Sequence, residues 1–436
     1  MSLRLPLASA SPSWKLIVGV ISFFVVSCIV LRAIYNIWFH PLRKYPGPWW
    51  PAASRVPYTV SVLRGTATRE AKELHEKYGH IVRINPDTLS FTSSQAWPDI
   101  YGPKRSGGRG NIPRDPRHYM KPQKILFDVE SHRRLLASKL APSLQEVHLQ
   151  KYATLFISKL HESWHVSSTG VVDLARWINL LTTDIAGALV LGESFGGLEG
   201  SRIHPSLDTI PRNVKIFNII GELSRYPGVL RVIDACWPRS MEREEESFMA
   251  RYIAKRIEKK IDSHDLMSCI IEASGEERVP SDEMEALAMG FVIAGSETTA
   301  TLLAGSVYLL LKHPLVLQNL TTILRTQFSS SSDMTLLALQ GQEYLNAVLK
   351  ECLRLYPPAP GNLFRRTARE GHVVMGQAIP SNTSLTMHLW AANRSPLNFH
   401  MPNQMVPERW MKPRPLEFEK DDRNAMKPFG GKPDYA

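Results

Sequence analysis

Hydrophobic residues are distributed most unevenly near the N-terminus, where residues 16–31 form an apolar run without a charged side chain. The run is slightly shorter than the roughly 20 residues with which an α-helix crosses a bilayer. Aromatic residues at its ends and the long side chain of Arg32 can extend it to the two membrane interfaces. The pattern therefore predicts a membrane-spanning helix over about residues 16–38. A cleaved signal peptide is the less favoured alternative, because no small-residue cleavage site follows the run.

The rest of the chain is dominated by helical periodicity. Apolar residues recur with a spacing close to 3.6 through most of residues 120–330. The predicted helices lie at 69–78, 132–139, 145–163, 174–191, 242–263, 282–312 and 315–328. Alternating apolar and polar residues predict short strands at 81–86, 88–91, 372–375 and 384–388. The pattern indicates a mainly α protein with small β-sheets, an α+β fold.

Closely spaced prolines follow the predicted span. The segments Phe-His-Pro-Leu at 39–42 and Tyr-Pro-Gly-Pro at 45–48 cannot continue a helix and favour a stiff turn. We therefore predict an N-terminal anchor at 1–39, a proline-rich hinge at 40–50 and a globular domain at 51–436. Basic residues slightly favour the C-terminal flank of the span, which predicts that the domain is cytosolic.

Composition narrows the class of protein. The 436 residues are 44% hydrophobic and 21% charged, which fits a large globular body and excludes a disordered chain. The net charge of +11 favours anionic partners, but the basic residues are scattered, so we expect a membrane surface and no nucleic acid. The four cysteines, Cys28, Cys236, Cys269 and Cys352, form no Cys-x-x-Cys pair. A metal cluster and a disulfide scaffold are therefore not expected.

The centre of the predicted helix at 282–312 combines apolar residues with one acid and two hydroxyls, Glu297, Thr298 and Thr299. A buried carboxylate is unfavourable unless it has a partner or a chemical task. One interpretation gives these residues a task in catalysis. In the other, Thr298 bonds a backbone carbonyl of the preceding turn and Glu297 faces solvent, as in an ordinary helix.

A second pattern pairs Glu351 with Arg354, three residues apart on one face of a helix that ends before Pro357. Taken alone, this is a surface ion pair that stabilises by about 0.3–0.5 kcal/mol. About fifty residues later the segment Pro-Glu-Arg-Trp at 407–410 contains Arg409, and Lys-Pro-Phe follows at 427–429.

The order of these segments, Ala-Gly-Ser-Glu-Thr-Thr at 294–299, Glu-Cys-Leu-Arg at 351–354, Pro-Glu-Arg-Trp at 407–410 and Lys-Pro-Phe at 427–429, resembles the cytochrome P450 family, of the fungal microsomal type. The resemblance extends over nearly the whole chain up to Phe429. It implies the cytochrome P450 fold with an N-terminal transmembrane helix, a haem cofactor, and monooxygenation of a lipophilic small molecule in fungal secondary metabolism, on a terpenoid or a polyketide.

The resemblance also implies roles for the central helix. Gly295 is expected to let haem and oxygen approach closely. Thr298 is expected to hydrogen-bond on the oxygen side, and Glu297 to supply a proton relay. Glu297 and Thr298 are therefore the predicted catalytic residues.

Further residues are implied to support the cofactor. Arg365 stands where the family has an arginine that binds a haem propionate. Arg133 and Arg134 resemble the family's second basic site, but a solvated helix face explains them equally well. Glu351, Arg354 and Arg409 are expected to form a buried structural network under the haem-ligand loop.

The family continues after Pro-Phe with a loop that carries the cysteine ligand of iron. Aligned without a gap, Ala436 falls on the cysteine position and Asp434 on an arginine position. We therefore expect a C-terminally truncated chain without the axial cysteine, in which haem binding and enzyme activity are in doubt. The alternative function is an inactive, haem-free product or pseudoenzyme from a mis-spliced or degraded gene.

Partners and location follow from the same resemblance. Electrons are expected from NADPH through a separate membrane-bound partner, NADPH-cytochrome P450 reductase. The implied location is the endoplasmic reticulum membrane, with a single span and a cytosolic catalytic body.

Overall fold

The computed structural model describes residues 14–102, 112–118, 142–208, 210–226, 228–229, 249–255, 265–268, 281–361 and 363–430. The named helices are α1 (Trp14–Ile34), α2 (Trp49–Ala53), α3 (Val56–Arg64), α4 (Ala67–Tyr78), α5 (Ala96–Tyr101), α6 (Pro142–Val166), α7 (Leu174–Leu191), α8 (Gly197–Gly200), α9 (Pro205–Asp208), α10 (Ile210–Leu223), α11 (Ser281–Lys312), α12 (Pro314–Gln327), α13 (Leu336–Gln340), α14 (Glu343–Leu355) and α15 (Leu389–Asn393). The strands are β1 (Ile81–Asn85), β2 (Thr88–Phe91), β3 (Arg365–Arg366), β4 (His372–Val374), β5 (Gln377–Ile379) and β6 (Ser384–Met387).

The predicted mainly α architecture with small sheets is confirmed, and most predicted elements agree within a few residues. The predicted helix at 132–139 lies outside the described residues, and of the one at 242–263 the structure describes only 249–255, which are helical. Helices α2, α3, α5, α8, α9, α10, α13 and α15 and strands β3 and β5 were not predicted. The domain boundaries at 39 and 50 stay a prediction.

The N-terminal apolar segment is one helical unit from Trp14 to Phe39, because α1 continues into a π-helical turn at Tyr35–Phe39. It is long and apolar enough to cross a membrane, and the described body does not cover it. The helix ends at His40 because the residue before a proline favours an extended backbone, here with φ −66° and ψ 141°. Helices α7 and α11 also have the length and composition of a span, but they pack against each other inside the body.

The hinge after the anchor is tied to strand β1. The Arg83 backbone N–H donates to the Pro46 carbonyl at 2.8 Å, and its guanidinium donates to the Asn36 carbonyl at 3.0 Å. Gly47 passes so close to this strand that a Cβ there would lie 2.5 Å from the Arg83 carbonyl oxygen. Leu42 is fully buried in the core beside the sheet. The turn is therefore held by both backbone bonds and packing.

The main sheet has the strand order β1-β2-β6-β3. Strand β2 pairs antiparallel with β1 and parallel with β6, and β3 pairs antiparallel with β6. Strands β4 and β5 form a separate hairpin. One core packs against this sheet, with Leu89, Phe91 and Trp97 among its buried members. The sheet thus connects the hinge to Arg365, which lies opposite Leu385 in the register.

Two helical cores hold the long helix α11 in place. Its N-terminal half packs on α7, with Ala288 and Val292 against Ala186 and Val190. Its C-terminal half lies against α14 and α12 in a core that contains Val348 and Cys352. With 32 residues at about 1.5 Å each, α11 is roughly 48 Å long. Its middle therefore lies between two cores.

Candidate active site

One face of the middle of α11 is exposed among the described residues. Ala294, Gly295, Thr298 and Thr299 are exposed, whereas Ser296 is buried. The exposed residues share one side of the helix because positions three and four apart are neighbours on its surface. We call this the α11 stripe. It contains the glycine and the hydroxyl that the sequence predicts on the oxygen side.

The Thr298 hydroxyl donates to the Ala294 carbonyl at 2.7 Å. This is the back-bond that the alternative interpretation of the helix predicts. Ser296, on the buried side, makes the same bond to Val292. A hydroxyl that donates its proton in this way still has lone pairs to accept from a ligand. Thr298 can therefore serve as an acceptor at the stripe without leaving its rotamer.

Glu297 lies beside the stripe and is half-buried. Burial raises the pKa of its carboxyl group above the ordinary value for glutamate. The protonated form is thereby favoured over what a glutamate in water would show. A carboxyl that gains and loses a proton at milder pH is suited to passing protons toward the neighbouring hydroxyl.

No described side chain requires glycine at position 295. A Cβ there would meet only the Ala186 Cβ, at 3.7 Å, which is ordinary contact. Gly305, ten residues further along α11, is different, because a Cβ added there would overlap the Tyr356 ring. The two glycines provide a matched comparison on one helix.

Gly295→Ala is expected to leave the ligand-free chain equally stable or more stable, by up to about 1 kcal/mol, because alanine favours a helix interior. Gly305→Ala is expected to destabilise it by about 1–3 kcal/mol through overpacking against Tyr356. Chemical denaturation in detergent micelles measures both. Equal destabilisation by both variants would show that Gly295 serves protein packing, whereas the expected difference assigns its small size to a bound ligand.

The three residues of the predicted network lie together and are all 0% exposed. Arg354 holds Glu351 with two parallel bonds, Nε to Oε2 at 2.9 Å and Nη2 to Oε1 at 2.7 Å. Arg409 Nε donates to Oε1 of the same carboxylate at 3.1 Å. The isolated-pair view of Glu351 and Arg354 as a surface ion pair is wrong, because loops from 393 to 410 cover them. Spacing within one helix carries no information about that cover.

Further groups complete the network. The Trp410 indole N–H donates to Glu351 Oε2 at 2.8 Å, and Arg409 forms an ion pair with the buried Asp421. Arg354 also donates to the Asn393 and Pro402 carbonyls. Burial disfavours the charged form of Glu351, but the bonds and charges of Arg354 and Arg409 outweigh it and lower its pKa. Sequence reasoning missed Asp421, since a lone aspartate in a polar loop gives no signal.

Arg365 lies in strand β3 and is half-buried. One guanidinium nitrogen donates to the Ile112 carbonyl at 3.3 Å, and the group stands 5.3 Å from the centre of the Tyr101 ring. Its Nε is buried and has no hydrogen-bond partner among the described residues. A buried donor without a partner favours an anionic ligand, and a haem propionate fits that description. Arg133 and Arg134 lie outside the described residues.

The iron donor is the part of a haem site that the described residues do not supply. Cys28 lies exposed in the anchor helix, and Cys352 is 0% exposed in the core under α11. Burial raises the pKa of Cys352 to about 11, which disfavours the thiolate that binds iron. Cys236, Cys269 and residues 431–436 lie outside the described part of the chain. The stripe and Arg365 fit the surroundings of a haem, whereas neither described cysteine fits its axial ligand.

Comparison with known proteins gives consistent matches along the chain. The sequence profile of the family described as Cytochrome P450 matches residues 46–431. A cytochrome P450 monooxygenase of Purpureocillium lilacinum, lcsI, is 35% identical over 431 residues, covering 94% of this chain and 83% of the relative. An averantin hydroxylase of Aspergillus parasiticus is 36% identical, covering 91% and 81%. A trichothecene C-15 hydroxylase of Fusarium sporotrichioides is 34% identical, covering 92% and 84%.

Proposed function

Because the chain belongs to the cytochrome P450 family, we propose that its activity is the insertion of one oxygen atom into a lipophilic small molecule. The observation that carries this proposal is the α11 stripe, where Gly295 and Thr298 are exposed beside the half-buried Glu297. The buried network around Glu351 supports it, because the same chain holds both parts in the family's order.

In such a site, different described residues would have different roles. When bound, haem supplies the oxygen chemistry that no side chain provides. Thr298 offers an acceptor on the oxygen side, and Glu297, whose pKa burial raises, is the adjacent residue in the chain that we propose relays protons. Arg365 would bind a propionate, and Glu351, Arg354 and Arg409 hold α14 to the segments at 393–410. In this proposal, Arg133 and Arg134 contribute a second propionate site.

The substrate and surroundings are proposed from the relatives and the anchor. Two relatives are named for the hydroxylation of averantin and of a trichothecene. We assign this chain to fungal secondary metabolism, with a terpenoid or polyketide substrate. Its apolar segment at Trp14–Phe39 fits a single span in the endoplasmic reticulum membrane, with the body in the cytosol. Electrons come from NADPH through NADPH-cytochrome P450 reductase in the same membrane.

A second candidate function is a haem-free pseudoenzyme. The observation that favours it is the chemistry of the described cysteines, since Cys28 lies in the N-terminal helix and burial disfavours the thiolate of Cys352. One spectroscopic experiment separates the two candidates.

A chain of residues 1–436, reduced and treated with carbon monoxide, is expected to show no absorption band of a thiolate-ligated haem. Replacing 430–436 with a segment that carries the family's cysteine loop is expected to produce that band, because the stripe, Arg365 and the buried network are already in place. The control carries serine for the added cysteine and should show no thiolate band. Failure of the cysteine-bearing chain to retain haem would favour the haem-free candidate. A band from residues 1–436 alone would show that another residue binds the iron.

The pathway role needs a test in the cell. Deleting the gene in a fungus that makes such metabolites is expected to remove an oxygenated product and accumulate its precursor. An unchanged product profile contradicts the assignment to secondary metabolism. It does not affect the conclusion drawn from the haem experiment.

A further inference from the structure

A cluster of buried and half-buried charges lies beside Arg365 and takes no part in the site described above. Its members come from the start of α3, the turn between β1 and β2, the segment 112–118, the end of α10 and strand β3. We call it the arginine cluster; it contains the cations Arg55, Arg117, Arg225 and Arg366 and the carboxylates Asp87, Asp115 and Glu222.

Two of the carboxylates are fully engaged by arginines. Asp87 accepts from Arg55 and from Arg117, each at 2.6 Å. Asp115 accepts from two nitrogens of Arg117, at 3.0 and 2.7 Å, and from the Ser384 hydroxyl. Burial opposes ionisation of Asp87, but Arg55 and Arg117 outweigh it and lower its pKa to about 2. This half of the cluster is a satisfied ion network.

Arg225 is in a different position. Its side chain is only 3% exposed, and its ion pair from Nε to Glu222 Oε2 is long at 3.6 Å. Within the part of the chain that the structure describes, its Nε and both terminal nitrogens are buried without a hydrogen-bond partner. Burial, together with the positive charge of Arg55, lowers the pKa of this guanidinium to about 10, so it still carries its charge at neutral pH. A buried guanidinium without hydrogen bonds is strongly unfavourable unless something else binds it.

The cluster as a whole has an excess of positive charge and of free donors. Four guanidiniums stand against three carboxylates, and burial raises the pKa of Glu222 despite the nearby charge of Arg225. One terminal nitrogen of Arg55 and one of Arg366 are also buried, with no hydrogen-bond partner in the described ranges. Burial and the charge of Arg225 lower the pKa of His118 to about 2, so this ring adds no charge. The surplus is at least one positive charge.

An apolar surface adjoins these donors. The Phe364 ring stacks on His118 with 3.5 Å between the ring centres, and the Arg225 guanidinium lies 5.9 Å from the centre of the same ring. Phe364 directly precedes Arg365 in the chain, so the cluster and the proposed propionate site share one short segment. A ligand bound here would contact both the Arg225 guanidinium and the Phe364 ring.

We propose that the arginine cluster binds the carboxylate of a lipophilic carboxylic acid and thereby selects the substrate class of this protein. The claim that the bound acid is a substrate rests on the proposed function. The binding site itself is argued from the geometry of the arginine cluster alone. A planar carboxylate matches the fork of Arg225 with two parallel bonds. One surplus charge suits a monoanion better than a phosphate dianion, and the ring of Phe364 suits the apolar part.

The test measures binding to the full chain in detergent micelles by isothermal titration calorimetry, with 4-phenylbutyrate as the probe and 4-phenylbutyramide as its uncharged match. The acid is expected to bind about tenfold or more tightly than the amide, as hydrogen bonds to charged groups allow. Arg225→Gln should abolish this preference. Arg325→Gln, which removes an exposed arginine from α12, should leave it intact. Glu222→Gln should strengthen acid binding, because it removes the negative charge that competes for Arg225.

Stability without ligand provides a second readout that does not depend on the probe. If Arg225 awaits a ligand, Arg225→Gln raises the melting temperature of the ligand-free chain, because an uncompensated buried charge disappears. If Arg225 is a structural partner of Glu222, the same variant lowers the melting temperature, and the proposal is wrong. Equal binding of acid and amide by the unaltered chain also overturns it, as does competition by inorganic phosphate as strong as by the acid, which indicates an adventitious ion only.

These outcomes are independent of haem and of a reductase. A chain that prefers the acid but never gains a thiolate-haem band keeps this inference and loses the monooxygenase proposal. A chain that gains the thiolate-haem band without preferring the acid keeps the monooxygenase proposal and loses this inference.

Discussion

Glu351→Gln is expected to lower the free energy of unfolding by about 3–5 kcal/mol, because it leaves the guanidiniums of Arg354 and Arg409 buried without their shared carboxylate. That loss is comparable to the whole stability of many domains, roughly 5–15 kcal/mol. Arg409 keeps Asp421, whereas Arg354 keeps only backbone carbonyls, so the unpaired charge is mainly that of Arg354. Chemical denaturation in detergent micelles, followed by tryptophan fluorescence, measures the change.

Two further variants test whether the loss of stability comes from the buried ion network. Glu417→Gln removes a carboxylate from an exposed position and should change stability by less than about 0.5 kcal/mol. Arg409→Lys keeps the charge but loses the planar fork, so an intermediate loss is expected. If Glu351→Gln is as stable as the Glu417 control, the network does not hold the fold together, and its role must be sought in cofactor binding.

Lowering the pH from 7 to 5 is expected to cost the fold about 6 kcal/mol, roughly 2 kcal/mol from each of three histidines with strongly lowered pKa values, His75, His118 and His388. Burial lowers the pKa of His75 to about 4, and burial with the charge of His75 lowers that of His388 to about 3. Both values, like that of His118, lie below the ordinary 6.5, so the unfolded chain binds these protons more tightly. The stabilisation is complete above pH 6.5 and is lost progressively as the pH falls toward 2. Carboxylates paired with arginines, such as Asp87, contribute only below about pH 4.

The hydrogen bonds show why protonation is unfavourable. His75 donates from Nδ1 to the Gly79 carbonyl at 2.8 Å, which leaves Nε2 to accept from Ser90 at 2.7 Å. His388 accepts at Nδ1 from the Ala391 N–H and so caps helix α15. A proton on that nitrogen would remove the cap as well as bury a charge.

His388→Asn preserves a capping side chain and removes the titration. Denaturation midpoints at pH 7 and pH 5 should therefore differ less for this variant than for the unaltered chain. His161→Asn, at an exposed position, should keep the full difference. If His388→Asn retains the same acid sensitivity, another group causes it.

The sequence predicts those parts of the molecule that depend on local pattern. Helix α7 and strand β2 have the predicted bounds because their periodicity and end signals agree. Helices α3 and α10 were missed although both have an amphipathic pattern. Strands β3 and β5 have two and three residues and exist through pairing with β6 and β4, which no local pattern reports.

In the candidate site, too, features set by local sequence were predicted and features set by distant contacts were not. Thr298, Glu297 and the Glu351–Arg354 spacing could be identified from motifs, and the structure places each on the predicted helix. The back-bond of Thr298 and the burial of Arg354 could not be predicted, since each depends on where the backbone and distant loops lie. The arginine cluster is still less visible, because its members are scattered from position 55 to position 366 and only folding brings them together.

A continuous run of hydrogen bonds leads from the apolar helix through the proline-rich segment and the sheet to Arg365. Arg83 bonds to both Asn36 and Pro46, so the helix end and the turn are both tied to strand β1. Three strand spacings of about 4.8 Å then lead roughly 14 Å across the sheet to β3. If the apolar helix spans a bilayer, we therefore expect a change in its tilt to reach Arg365 and the neighbouring Arg366 through these hydrogen bonds.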